Sequence, residues 1–222
     1  MHTIKIDLKI HLDVPWHAGS GWGGAVTDRI VLRDEQNRPF LPGSTLKGVV
    51  REACEKLSRT LSLPEPADPH AGMLPMNLSP VDRLFGTPRQ GDCLFFRDAV
   101  AKDNSLLPMI QLSRTKMQRG LGTVLEHHLF TTEASPPCQL ETAIVGWHET
   151  LFCPDNSYPP FEYALLWAAL RSVERVGSCK SVGWGHCRLE LLAFEYGGRA
   201  VADREFVDLL EFSELYAEGA RP

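Results

Sequence analysis

Between residues 4 and 14 apolar and polar side chains alternate without a break. Ile4, Ile6, Leu8, Ile10 and Leu12 fall on one side, and Lys5, Asp7, Lys9, His11 and Asp13 on the other. A period of two is that of a strand with one face buried and one in water. The chain therefore opens on a strand, which Pro15 ends. The next segment, Gly19-Ser20-Gly21-Trp22-Gly23-Gly24, is too rich in glycine for a regular element and reads as a loop. Arg29 to Arg33 reads as a short strand, Asp34 to Asn37 as a turn, and Phe40 to Gly43 as a bend into a helix. That helix has Ser44 as its expected N-cap and a buried stripe of Leu46, Val49, Val50, Ala53, Cys54, Leu57 and Leu61 at spacings of three and four.

Five prolines between Ser62 and Pro80 mark an insertion. Cys93 to Phe96 and Met109 to Leu112 read as strands, and the segment 113–137 holds the densest basic cluster, with Arg114, Lys116, Arg119, His127 and His128. A strand over Gln139 to Glu149, a helix from Phe161 to about Val176, a second glycine-rich segment from Gly177 to His186, a closing strand over Cys187 to Phe194 and an acidic helix around Asp203 to Tyr216 complete the chain. The order β-α-β-β-α-β predicts an α+β fold, a ferredoxin-like (RRM-type) sheet with insertions, in a single domain over residues 1–222.

Of the 222 residues, 43% are hydrophobic and 23% charged, which excludes a disordered, collagen-like or coiled-coil chain. No apolar run approaches the roughly 20 residues of a membrane span. The charged N-terminus is not a secretion signal, so a cytoplasmic protein with no membrane partner is expected. Six cysteines without a Cys-x-x-Cys pair read as reduced and structural. A net charge of -5 exerts no global pull on nucleic acid, so any RNA binding needs a local basic surface. Nucleophile-elbow, Walker A and His-Glu-x-x-His patterns are missing from the sequence, and no Gly-x-Gly-x-x-Gly opens a helix.

Some residues nonetheless suit a phosphate backbone. Lys47 and Arg51, one turn apart beside the free amides of a helix start, form an electropositive corner; the same pair also suits an ordinary solvated face. Glycine loops let a ribose-phosphate strand approach main-chain amides and be held by shape. His17, just before the first loop, can bond or stack with RNA, or can be structural. Trp22 and Trp184 border glycines and Trp16 comes just before the first glycine loop, where they can stack on bases or fill the core.

Taken in order, these pieces resemble the RAMP superfamily, and within it the backbone subunits of type III CRISPR effector complexes. The resemblance is carried by Pro42-Gly43-Ser44-Thr45-Leu46-Lys47-Gly48 entering the first helix, by Asp28 ahead of Arg29 to Asp34, and by Lys180 to Gly185. It extends to Leu84-Phe85-Gly86, to Phe96-Arg97-Asp98-Ala99 and to Gly120 through Glu133. It implies a guide-RNA-binding subunit that stacks with copies of itself and with other effector subunits along CRISPR RNA. RNA contacts are implied for His17, Gly19, Ser20, Ser44, Thr45, Lys47, Arg51, Lys180, Ser181 and Gly183. Arg114, Lys116 and Arg119 are implied for a thumb hairpin that enters the guide-target duplex. Asp28 is implied as the residue that cleaves bound target RNA, with Mg²⁺ (or Mn²⁺), by attack of a ribose 2′-hydroxyl. Two alternatives stand beside this: a non-cleaving structural or capping subunit, and a stand-alone nuclease that processes guide precursors through His11, His127, His128 or His148.

Overall fold

The computed structural model describes residues 1–24, 26–68, 78–87, 89–101, 108–153, 158–211 and 213. The opening strand β1 (His2–Leu12) lies inside an antiparallel sheet. It pairs on one side with β7 (Cys138–His148), from His2 opposite His148 to Leu12 opposite Cys138, and on the other with β8 (Cys187–Tyr196). Beyond β7 come β3 (Leu94–Phe96) and β4 (Ala99–Ala101), then β2 (Phe40–Leu41); β9 (Arg199–Ala200) closes the far edge against β8. Helix α1 (Gly43–Thr60) links β1 to the β3–β4 pair, and α3 (Phe161–Ser172) links β7 to β8. Each crossover skips one strand, so the core strands stand in the order fourth, first, third, second, which is the ferredoxin-like arrangement expected from the sequence.

The alternation in β1 decides how this sheet is covered. Ile6, Leu8 and Ile10 are fully buried beneath Leu46, Val50 and Cys54 of α1 and Leu165, Leu166, Ala169 and Leu170 of α3. Burying one such side chain contributes about 1.5–3 kcal/mol. On the other face polar side chains pair: Lys5 with Asp7 at 3.0 Å, Lys9 with Glu141 at 3.9 Å, and the His11 ring with the Glu190 carboxylate at 2.6 Å. The α3 helix is apolar nearly all round and buries Glu162 completely. That carboxylate accepts the Phe152 N–H at 3.0 Å and faces Arg83 of α2 (Pro80–Phe85) at 3.4 Å.

Several boundaries differ from expectation. The helix α1 starts after Pro42, not Ser44, and has no side-chain cap, because the Asp98 carboxylate takes the Gly43 N–H from outside at 2.8 Å. Only glycine fits there, since a Cβ would lie 2.0 Å from the Phe96 carbonyl oxygen. Residues 29–33 make isolated bridges at Arg29, Val31 and Arg33 instead of a regular strand. The α3 helix stops at Ser172 because the following backbone turns to pair with the start of β8: Cys187 donates to Glu174 at 2.8 Å, and Val176 to Gly185 at 2.9 Å. The segment expected as a thumb is a two-stranded hairpin, β5 (Ile110–Gln118) and β6 (Thr123–Ala134), standing apart from the main sheet. Of the 62–80 insertion, residues 69–77 lie outside the described residues, and α4 (Asp203–Glu211) covers the described part of the C-terminal helix.

All six cysteines are free. Burial pushes the Cys54 and Cys187 thiols up, the latter to about 12, so neither supplies a thiolate near neutrality. Among the described residues no helix is long and apolar enough to cross a membrane.

Burial also lowers the pKa of His148, whose ring contacts the Tyr163 hydroxyl at 3.0 Å and the Leu84 carbonyl at 3.5 Å. A histidine depressed in the folded state contributes its full stability above the unfolded value of about 6.5, and that stability is lost as pH falls from there toward the folded value. His148→Gln is therefore expected to melt below the parent chain at pH 8, with the difference shrinking at pH 5. An unchanged difference in paired thermal melts would contradict this assignment.

Candidate nucleic-acid interface

The two glycine-rich loops leave the sheet at the same end, where β1 finishes and β8 begins, and they are sewn together by main-chain bonds. Gly185 donates to the Pro15 carbonyl at 2.9 Å and Ser178 to the His17 carbonyl at 2.8 Å. Close approach explains the glycines. A Cβ on Gly177 would lie 2.5 Å from the His17 oxygen, one on Gly185 would lie 1.9 Å from the Val176 oxygen, and both residues have positive φ. The base of the β5–β6 hairpin joins them. Trp16 and Ser135 exchange two backbone bonds at 3.0 and 2.8 Å, Asp28 donates its N–H to Thr131 at 3.0 Å, and Glu133 donates to Arg29 at 2.9 Å.

Beside this junction lies an open cavity of about 470 Å³ whose lining includes His17, Gly19, Trp22, Asp28, Arg29 and Ser178. Asp28 is exposed, with one carboxylate oxygen accepting the Thr131 N–H at 2.7 Å. His17 is 2% exposed. Its Nδ1 lies 2.7 Å from the Glu133 carbonyl, which can only accept, so the proton is assigned to Nδ1 and Nε2 is left as an acceptor when the ring is neutral. Nε2 packs against Gly19, where an added Cβ would come within 2.9 Å of it.

Glu133 holds the junction together, a role the sequence reading did not find. Its carboxylate accepts the Val31 N–H at 3.0 Å and pairs with Arg33, its carbonyl orients His17, and its N–H anchors Arg29. Its position in Thr131-Thr132-Glu133 was visible in the sequence, but nothing local announces that a carboxylate there is 7% exposed.

Of the residues singled out from sequence, His17, Gly19 and Asp28 line the cavity, and Ser20 is tied by its hydroxyl to Trp22 beside it. Lys180 and Ser181 form a short 3-10 turn capped by Gly183, with Ser181 and Gly183 exposed and the Lys180 carbonyl accepting from Arg175 at 2.5 Å. At the helix tip both cations are ion-paired. Lys47 pairs with Asp92 at 2.6 Å and donates to the Leu94 carbonyl at 3.0 Å, and Arg51 pairs with Glu55 at 3.1 Å. With the Gly43 amide filled by Asp98, that corner is internally neutralised. Ser44 is exposed in the first helical turn, and the Thr45 N–H bonds Pro42 at 3.0 Å.

The hairpin also sorts its cations. Arg114 lies over the Trp184 ring, 4.6 Å from its centroid, bracing the hairpin against the second loop, whereas Lys116 and Arg119 are exposed toward the hairpin's far end. Met117, Leu121, Val124 and Leu129 are exposed there as well. Neither His11, His127, His128 nor His148 lines the cavity. Among the described residues no three His, Cys, Asp or Glu side chains converge as metal ligands. An exposed carboxylate suits Mg²⁺ in another way, since that ion is commonly shared between one protein carboxylate, waters and substrate phosphates.

No curated protein matches the chain. Among solved structures, it is similar to a chain of a type III-B Cmr-beta complex bound to cognate target RNA, at 13% identity and a TM-score of 0.59, with 84% of this chain and 96% of that one covered. It is similar also to a chain of the apo state of Cmr-beta, at 13% identity and a TM-score of 0.57, covering 85% of this chain and 97% of that one. These likenesses concern the fold. The sequence family described as the RAMP superfamily matches residues 9–188, from within β1 through the first loop, α1, the hairpin and the second loop into β8, and the chain accordingly belongs to the RAMP superfamily.

Proposed function

We propose that the protein is a guide-RNA-binding backbone subunit of a type III CRISPR effector complex, and that it cleaves guide-paired target RNA at Asp28. One observation carries the reading: the exposed Asp28 carboxylate stands in the cavity where both glycine loops and the hairpin base meet. RNA, copies of the chain and other effector subunits are its partners, as the target-bound state of the similar Cmr-beta complex suggests.

Cleavage follows from the placement of the chain's own groups. The ribose 2′-hydroxyl attacks the adjacent phosphorus, a new 2′-O–P bond forms as the bond to the 5′-oxygen breaks, and that oxygen leaves with a proton. The loop amides and the glycines at positions 21 and 183, where an added Cβ would meet nothing, allow the strand close approach, and Gly19 gives room to the His17 ring that lines the same cleft. Asp28 would hold Mg²⁺ (or Mn²⁺), which when bound neutralises phosphate charge.

A second reading is favoured by the bond from the Thr131 N–H to Asp28, since a carboxylate that merely latches the hairpin would mark a non-cleaving subunit. Asp28→Asn separates the two. Asparagine can keep accepting the Thr131 N–H but is a poor Mg²⁺ ligand, so target cleavage is expected to vanish while guide binding and assembly persist. Cleavage at the parent rate would assign Asp28 to the latch.

A further inference from the structure

Three tryptophans, Trp16, Trp22 and Trp184, lie in or beside these loops, and the fold treats them differently. Trp16 is fully buried and Trp184 is 7% exposed beneath Arg114, whereas Trp22 is 80% exposed. Burying an aromatic of this size is among the more favourable contributions available to a fold, so leaving it in water points to an external partner.

The indole is held out by the loop around it. Gly21 has a φ of +78°, and the Ser20 hydroxyl accepts the Trp22 N–H at 3.1 Å and donates to its carbonyl at 3.3 Å. Across the loop, Gly24 bonds the Thr27 carbonyl at 2.6 Å, and a Cβ on Gly23 would lie 3.1 Å from the Asp28 oxygen. The segment carrying Trp22 is thus pressed against the backbone of Asp28, and both residues line one cavity. Apart from Ile30, the rest of that lining is polar or small: Arg29, Ser178, His17, Gly19 and Gly21. A planar π-face beside a cation, a hydroxyl and free loop surface suits a ligand that is itself a flat ring joined to an anionic, hydroxylated backbone.

We propose that Trp22 stacks on an unpaired nucleobase of the target strand, next to the phosphodiester cut at Asp28, and so sets which bond enters the cavity. The proposal rests on the cleavage reading above. Because Trp22 lines the same cavity as Asp28, the base belongs to the strand being cut. Trp22 is a positioning residue, and its exposure means that replacing it costs the fold little.

The test uses the full chain assembled with its guide RNA. In an Asp28→Asn complex, which holds target uncleaved, 2-aminopurine is placed at successive target positions around the cut site. Quenching is expected at one nucleotide flanking the scissile bond, and is expected to disappear with Trp22→Ala. With Asp28 intact, Trp22→Ala is expected to slow cleavage by about 5- to 150-fold, the span of one lost base stack, while Trp22→Phe stays near the parent rate. An abasic nucleotide at the same position is expected to slow the parent complex and to have no added effect on Trp22→Ala. Equal quenching with and without Trp22, additive effects of the abasic site and the substitution, or failed assembly of Trp22→Ala would each overturn the stacking proposal while leaving the Asp28→Asn result standing. Cleavage that survives Asp28→Asn, or an unaltered complex that binds no target RNA, would overturn the functional reading itself and the stacking proposal with it.

Discussion

Gly185→Ala is expected to destabilise the chain by at least about 4 kcal/mol, a large loss for a single methyl group. Two causes add. Gly185 sits at φ +70°, where an L-residue costs roughly 1–2 kcal/mol. The added Cβ would also lie 1.9 Å from the Val176 carbonyl oxygen, which belongs to backbone and has no rotamer through which to escape. The two strands at that point must part, which breaks the bonds from Val176 to Gly185 and from Gly185 to Pro15 that hold the second loop to the first. Gly183→Ala is the control. Its φ is +90° but nothing lies within 4 Å of the new Cβ, so only the conformational cost of roughly 1–2 kcal/mol applies. Chemical denaturation of both variants measures the gap, and equal losses would mean that the close approach at Gly185 is relieved cheaply.

Glu133→Gln is expected to cost about 2–3 kcal/mol and to disable the cavity. Removing one member of a buried ion pair costs about 3–5 kcal/mol, and the partial exposure of Arg33 reduces that figure. Glutamine keeps one acceptor for the Val31 N–H but turns its amide donors toward a guanidinium that only donates. The strap over residues 29–33 then loosens, and Asp28 and Arg29 at its start lose their fixed place beside His17. Stability and target cleavage are both expected to fall. An Arg33→Ala change is expected to cost less in the Glu133→Gln background than in the parent, because the pair is already broken. Full additivity of the two in a denaturation cycle would show that the ion pair contributes nothing.

Legibility from the sequence followed the presence of periodic burial. The β1 strand was plain because one face meets the core at every second residue, and α1 because Leu46, Val50 and Cys54 recur at helical spacing on one face. Beyond the strand read over Met109 to Leu112, the hairpin was legible only through its resemblance. Nearly every residue of β5 and most of β6 is exposed on both faces, so no alternation marks them as strands. The glycine loops and Asp28 were visible as a constellation, yet the partners of the cations beside them were not, because Asp92, which pairs with Lys47, lies far along the chain, and Trp184, which lies under Arg114, lies farther still.

What the amino-acid order determined by itself is local: which face of β1 turns inward, where the chain must turn, and which glycines, lysines and carboxylates are on offer. Those properties follow from side-chain polarity and backbone sterics within a few residues. Which cations are already paired, why Gly185 admits no methyl, how Glu133 ties His17 to Arg29, and that of Trp16, Trp22 and Trp184 only Trp22 stays in water were decided by tertiary structure. Each depends on distances between residues remote in sequence, and those distances exist only once the sheet has brought the two loops and the hairpin to one end.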